Sequence, residues 1–151
     1  MFLNYSEALD DKLTAEAKNF DPLPIENSYD LKLSDVSELK DNRGFALVFN
    51  VLTPVEFSKR KIWKNVFLKN KDNDESKNNV LLGMFKDFLE KSGLNREQRV
   101  AFLSGDVTAQ SIRELLAEKV YTVRLKNRVV NENVYQEIGK IVSVADGGVA
   151  F

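Results

Sequence analysis

Three stretches of two-residue alternation, a block with helical spacing, then two more alternating stretches: that order constrains this 151-residue chain more than any other feature. "NSYDLKLSDV" at 27–36 places Tyr29, Leu31 and Leu33 on one face. After a turn, "KDNRG" at 40–44, "FALVFNVL" at 45–52 places Phe45, Leu47, Phe49 and Val51 together. Pro54 enforces a break in "TPVEFS". "KRKIWKNVFL" at 59–68 is the third stretch. Its core face is Ile62, Lys64, Val66 and Leu68, with Lys64 the misfit, and Lys61, Trp63, Asn65, Phe67 and Lys69 share the other face.

A polar loop at 69–79 leads into the helical block. Residues 79–93 carry Leu81, Met84, Phe85 and Phe88 at helical spacing, with Gly93 as the C-terminal cap. Residues 95–105 start at an Asn95 cap and set Val100 and Leu103 three apart. Residues 108–119 start at Thr108 and turn Ile112, Leu115 and Leu116 inward. The last two strands are 120–125, with Tyr121, Val123 and Leu125 together, and 134–144, where Gly139 marks a bulge or a close approach.

Five strands with a helical insert between the third and fourth is the order of an OB-fold, a five-stranded Greek-key barrel. The fold class predicted is therefore mainly β with a helical insert at 74–118. The alternative is an α+β domain with a plain antiparallel sheet. "DPLP" at 21–24 forbids regular structure and marks the entry to the folded body. The organisation expected is an N-terminal arm at 1–19 with a short helix after Ser6, one domain at 20–145, and a tail at 146–151.

The chain holds no cysteine and no histidine, so thiolate zinc sites, Cys nucleophiles and His-based triads are excluded. Neither common phosphate-cradling glycine loop occurs. Apolar residues make up 43% and charged residues 30%, and no apolar run approaches the roughly 20 residues of a membrane helix. No signal-peptide pattern opens the chain, and a cytoplasmic protein without metal, cofactor or membrane partner is expected.

Charge is unevenly placed although the net is -1. Residues 1–41 hold ten acids against four lysines. Residues 57–71, "FSKRKIWKNVFLKNK", hold six cations and no acid, and residues 119–128 hold four cations and no acid. Binding a single nucleic-acid strand needs cations along the phosphates and flat aromatics on which unpaired bases stack. The candidate contact residues are Lys59, Arg60, Lys61, Trp63, Lys64, Phe67 and Lys69, with Tyr121, Arg124, Lys126 and Arg128 from the second strip. Of the aromatics, Tyr121, Tyr135 and Phe45 read more readily as packing residues. A blander reading stands beside this one: strand lysines blunt exposed edges, and a lone Trp in a strand is more often core than platform.

"TAEAKNFDPLPIENSYDLKL" resembles the opening of a family of phage-encoded OB-fold proteins that bind single-stranded DNA, with Phe20, Pro22, Leu23, Pro24 and Tyr29 at the matching places. "SKRKIWKNVFL" looks like the family's third-strand motif, and "ELLAEKVYTVRL" followed by "NENVYQEI" like its closing helix and strands. The likeness covers roughly residues 14–144, in short and mostly structural motifs. Two glycines of the pattern are replaced, by Asn27-Ser28 and by Ser58-Lys59. The resemblance implies a non-enzymatic, sequence-tolerant single-stranded DNA-binding protein of phage replication or recombination, in the host cytoplasm. The ending "VADGGVAF" also resembles in outline the acidic, Phe-terminated tail by which the wider single-stranded DNA-binding class recruits replication or recombination proteins, which would give Phe151 that role, although Asp146 is its only acid and an inert tail is the alternative. Two other readings remain: a protein-interaction module that binds a host or replication enzyme, and a nuclease using a carboxylate metal site.

Overall fold

The computed structural model describes residues 6–7 and 22–146. Apart from residues 6–7, the expected arm and its helix lie outside the described residues, as does the tail beyond Asp146 with Phe151. The strands are β1 (Ser28–Glu38), β2 (Gly44–Thr53), β3 (Lys61–Phe67), β4 (Lys119–Val130) and β5 (Asn133–Asp146). The helices α1 (Glu75–Lys91), α2 (Arg96–Ser104) and α3 (Ala109–Leu116) follow β3. Among the described residues the protein is mainly β: a five-stranded antiparallel open sheet in the order β3-β2-β1-β4-β5, with three α-helices. The edge strands β3 and β5 come within 8 Å at their Cα atoms but form no hydrogen-bonded ladder among the described residues. No helix there is long and apolar enough to cross a membrane.

The alternation in the first three strands translates directly into burial. Tyr29, Leu31, Leu33, Phe45, Leu47, Phe49, Val51, Ile62 and Val66 all enter the core. β2 and β3 pair without a register shift, from Gly44↔Phe67 to Asn50↔Lys61. Gly44 is required there, because a Cβ at that position would overlap the Val66 carbonyl oxygen. In β1 a bulge at Ser34 changes the phase, so that Val36 rather than Asp35 continues the buried face. β5 bulges twice, near Gly139 and near Val142. Each bulge adds one residue, so Ile138, Ile141 and Val144 reach the core at a spacing of three.

Three expected boundaries are corrected. α1 starts at Glu75, four residues before the expected start at 79, because the Asp74 side chain accepts a hydrogen bond from Lys77 N and closes the first turn. Its buried stripe is Phe85, Phe88 and Leu89; Met84, expected inward, is exposed, as is Val100 of α2. β4 runs five residues past the end of the expected 120–125, whereas β5 extends the expected 134–144 by only one residue at its start and two at its end; the two strands are joined by Asn131-Glu132. Both turn residues have positive φ, 50° and 69°, as a tight two-residue hairpin turn requires. The caps at Asn95 and Thr108 form as expected, each as a reciprocal capping box, and Gly93 ends α1 at φ 92°.

The helices are tied to the sheet through Tyr121. It is fully buried, stacks on Phe88 (centroids 6.0 Å, planes 11° apart) and meets the edge of Phe49 at 5.4 Å. Its hydroxyl donates to Ser92 Oγ at 2.9 Å, and Ser92 Oγ donates to the Phe88 carbonyl at 2.8 Å. At the other end of the sheet, the Gln136 amide binds the Leu23 main chain in both directions, at 2.8 Å each. That clamp holds the segment before β1 against β5, with Leu23 buried.

Burial pushes the Tyr121 phenol from 10.0 up to about 12, opposed in part by the Ser92 hydrogen bond. The folded state therefore holds the proton more tightly than the unfolded chain. Tyr121's contribution to stability is whole below pH 10 and is lost as pH rises towards about 12. Tyr121→Phe is expected to cost about 1 kcal/mol in urea unfolding at pH 7 through the lost hydrogen bond. Repeating the titrations from pH 9 to 12 should show wild type losing its advantage over the variant; a constant gap would contradict the assignment.

Candidate nucleic-acid interface

β3 and the β4–β5 hairpin form the walls of an open cleft of about 1380 Å³. The β3 wall begins in a turn. Phe57 to Arg60 closes it, with Arg60 N donating to the Phe57 carbonyl at 3.1 Å, and Lys59 takes φ 76°. A glycine would be comfortable at that position; here a lysine bears the left-handed geometry. From this turn Lys59, Arg60 and Lys61 all reach the cleft.

The expected register of β3 holds. Ile62 and Val66 are buried, and Lys61, Trp63 and Asn65 are exposed. Trp63 is 56% exposed and lines the cleft, so the chain's one tryptophan is not a core residue. Phe67 also lines it, half-buried, with the Arg43 guanidinium over its ring at 5.4 Å. Arg43 was not legible as a neighbour of this site, because it comes from the turn before β2 and reaches Phe67 only through the β2–β3 pairing.

Lys64 occupies the inward face, half-buried, with its ammonium over the Phe88 ring at 5.0 Å. Burial holds its pKa below the ordinary lysine value; Glu137 opposes that shift, and Lys126 and Lys91 reinforce it. The misfit is thus a half-buried cation at the junction of core and cleft, its ammonium resting on the Phe88 ring.

The hairpin wall supplies Arg128, Tyr135 and Glu137. Arg128 Nε donates to Glu137 Oε1 at 2.6 Å, and its guanidinium lies over the Tyr135 ring at 5.6 Å. Lys126 approaches Glu137 Oε2 at 3.8 Å. Tyr135, set aside in sequence as a packing residue, is 48% exposed and joins Phe57, Trp63 and Phe67 as the fourth aromatic lining the cleft. The signal that could have found it is the Asn131-Glu132 turn, which fixes Arg128 opposite Tyr135.

The remaining expected contact residues fall elsewhere. Tyr121 is corrected: buried beneath Phe88, it cannot meet a ligand. Lys69 is exposed beyond the end of β3 and does not line the cleft. Arg124 is exposed opposite Lys140, also away from it. Lys126 touches the site only through Glu137. Thr122, on the same strand face, donates its hydroxyl to Asp30 at 2.6 Å.

Five cations therefore line the cleft (Lys59, Arg60, Lys61, Lys64 and Arg128) against two carboxylates, Glu56 and Glu137, with Trp63, Phe67 and Tyr135 between them. No group of three or more carboxylates able to hold a metal ion occurs among the described residues. The cleft is suited to an extended polyanion with flat groups. Comparison with protein-family models, with curated proteins and with solved structures finds no match to this chain.

Lys64→Met keeps the packed stem and removes the half-buried charge. It is expected to raise the unfolding free energy by about 1 kcal/mol in urea titration, as removal of a functional but costly group does; a loss of stability would show that the contact with Phe88 outweighs desolvation. Lys59→Gly relieves the left-handed strain and should add about 0.5–1 kcal/mol in the same assay.

Proposed function

We propose that this chain is a sequence-tolerant, non-enzymatic single-stranded DNA-binding protein serving phage replication or recombination. The observation that carries the reading is the cleft in which Trp63, Phe67 and Tyr135 alternate with five cations. Aromatic faces accept any base, and cations track phosphates whatever the sequence, so the arrangement favours binding without base readout. The sheet order supports an OB-type barrel. β3-β2-β1-β4-β5, with β3 and β5 brought close, is the order of that Greek key opened along one seam. In such a barrel the face beside β2 and β3 and the last hairpin form the oligonucleotide site. The phage assignment rests on the sequence resemblance over roughly residues 14–144.

Mechanistically, the strand would lie along the cleft with phosphates toward Lys59, Arg60 and Lys61 and bases against Trp63 and Phe67. Arg43 over the Phe67 ring fixes that ring, which reduces the ordering a bound base must impose. Coating a strand in this way protects it and competes with hairpins, and it needs no catalytic group.

A second reading, a module that binds a host or replication enzyme, is favoured by one observation. Val80 and Met84 stand one turn apart on α1 and are 66% and 64% exposed. Recovery of a single stoichiometric protein partner, with no affinity for DNA, would select it.

Trp63 supplies the test. Oligo-dT should quench its fluorescence, and salt should reverse the quench with a log–log slope of about -3.5 if five cations contact phosphate. Trp63→Ala, read by filter retention, should lose about 1–3 kcal/mol of binding. Absence of both quench and retention at low salt would refute the proposal.

A further inference from the structure

Glu137 is an acid at the centre of a cationic cleft, and its position is built rather than incidental. The Gly139 bulge resets β5 so that Glu137 stands opposite Lys126 and diagonal to Arg128, while Ile138 beside it enters the core. The bulge position tolerates no larger residue without displacement, since a Cβ there would lie 3.2 Å from the Arg124 carbonyl oxygen and 3.2 Å from Lys126 Cβ. One carboxylate oxygen accepts from Arg128 at 2.6 Å and the other approaches Lys126 at 3.8 Å. The same carboxylate favours the charged form of Lys64 across the cleft. A two-oxygen anion that gathers three cations has the valence and donor set of a backbone phosphodiester.

We infer that Glu137 is an internal phosphate surrogate: it occupies the anion position of the hairpin wall in the free protein, and a bound strand displaces it from Arg128 and Lys126. The inference rests on the single-strand-binding reading and adds a regulatory element to that site. The hairpin cations are preorganised by Glu137, so they are held in place before the ligand arrives. They are also masked by it, so part of each phosphate contact is spent on breaking an existing pair. Bidentate exchange of this kind is available because both oxygens are already engaged by separate side chains, and the carboxylate is accessible from the cleft. The Arg128 guanidinium is held over Tyr135 independently of the acid, so it keeps its place when Glu137 lets go.

The test compares two isosteric variants on the same cleft. Glu137→Gln releases two cations. Glu56→Gln removes the same charge from the same cleft but releases none, because Glu56 forms no salt bridge among the described residues. With oligo-dT as probe and Trp63 fluorescence as readout, Glu137→Gln should bind about tenfold more tightly near 0.1 M salt. Its salt slope should stay at the wild-type value, because displacement of Glu137 already brings Arg128 and Lys126 to phosphate in the wild-type complex. Glu56→Gln should gain no more than about threefold, with the slope unchanged. In an Arg128→Gln background the tenfold gain from Glu137→Gln should shrink to about threefold. Equal behaviour of the two Glu variants, or weaker binding by Glu137→Gln, would overturn the surrogate role while leaving single-strand binding in place. Failure of wild type and both variants to bind at any salt would overturn the binding reading itself and the inference with it. Unchanged thermal unfolding and Trp63 emission confirm that each variant is folded.

Discussion

Everything the cleft needs is anchored at one aromatic contact, Tyr121 on Phe88. The stack joins the central part of β4 to the last turns of α1, and the hydroxyl of Tyr121 closes the joint on Ser92, whose own hydroxyl returns to the Phe88 carbonyl. A helix that follows an edge strand has no ladder to locate it; a buried ring stack with a satisfied hydroxyl does so. Phe88, once fixed, becomes the surface on which the Lys64 ammonium rests. The chain of support therefore runs Phe49, Tyr121, Phe88, Lys64, from the middle of the sheet to the wall of the cleft. A disturbance at Tyr121 would reach the site through a cation and not through the backbone of β3.

Overall charge says little about such a protein. The net of -1 conceals a cleft with five cations and two carboxylates, while the acids concentrate in the first 41 residues. Long-range attraction of a polyanion depends on the local potential, and the cleft walls focus it. The exposed pairs elsewhere, Arg113 with Asp35 and Lys119 with Asp146, each at 3.3 Å, contribute little to stability in water. The Glu137 group differs because its cost and benefit fall on a surface where another anion can take its place.

How much of this was legible in the sequence depends on the range over which the information acts. Alternation in the first three strands is local, and it placed every buried residue of β2 and the two faces of β3, including Trp63 outward and Lys64 inward. Caps are local too, and Asn95, Thr108 and Gly93 stand where their side chains or backbone freedom predict. The start of α1 was hidden because its first turns are polar and gain their stability from the Asp74 cap. β5 was hard to read because two bulges turn a spacing of two into a spacing of three. Tyr121 stood both as a candidate contact and as the more readily read packing residue, because a tyrosine in a basic strip looks the same whether its ring meets a base or Phe88; the structure bears out the packing reading. Tyr135, Arg43 and Glu137 all depend on pairing between segments, which no window along the chain contains.

The strip at 119–128 is the sharpest case. It holds no acid in sequence, yet the hairpin brings Glu137 against two of its four cations and leaves Arg124 outside the cleft. A count of charge along the chain therefore overstates the potential on that wall, while β3 keeps most of the charge its sequence promises. The two walls are unequal for a physical reason. Residues on β3 face the cleft beside a turn and other cations, with no paired strand on that side to carry a compensating acid. Residues on β4 always have a β5 partner directly opposite, and two of those partners, Glu137 and Asp146, are carboxylates. A ligand entering such a cleft meets lysines on the β3 side and, on the hairpin, an Arg128 already paired with Glu137. Binding on the β3 wall would then be governed by electrostatic attraction, and binding on the hairpin wall by exchange of one anion for another.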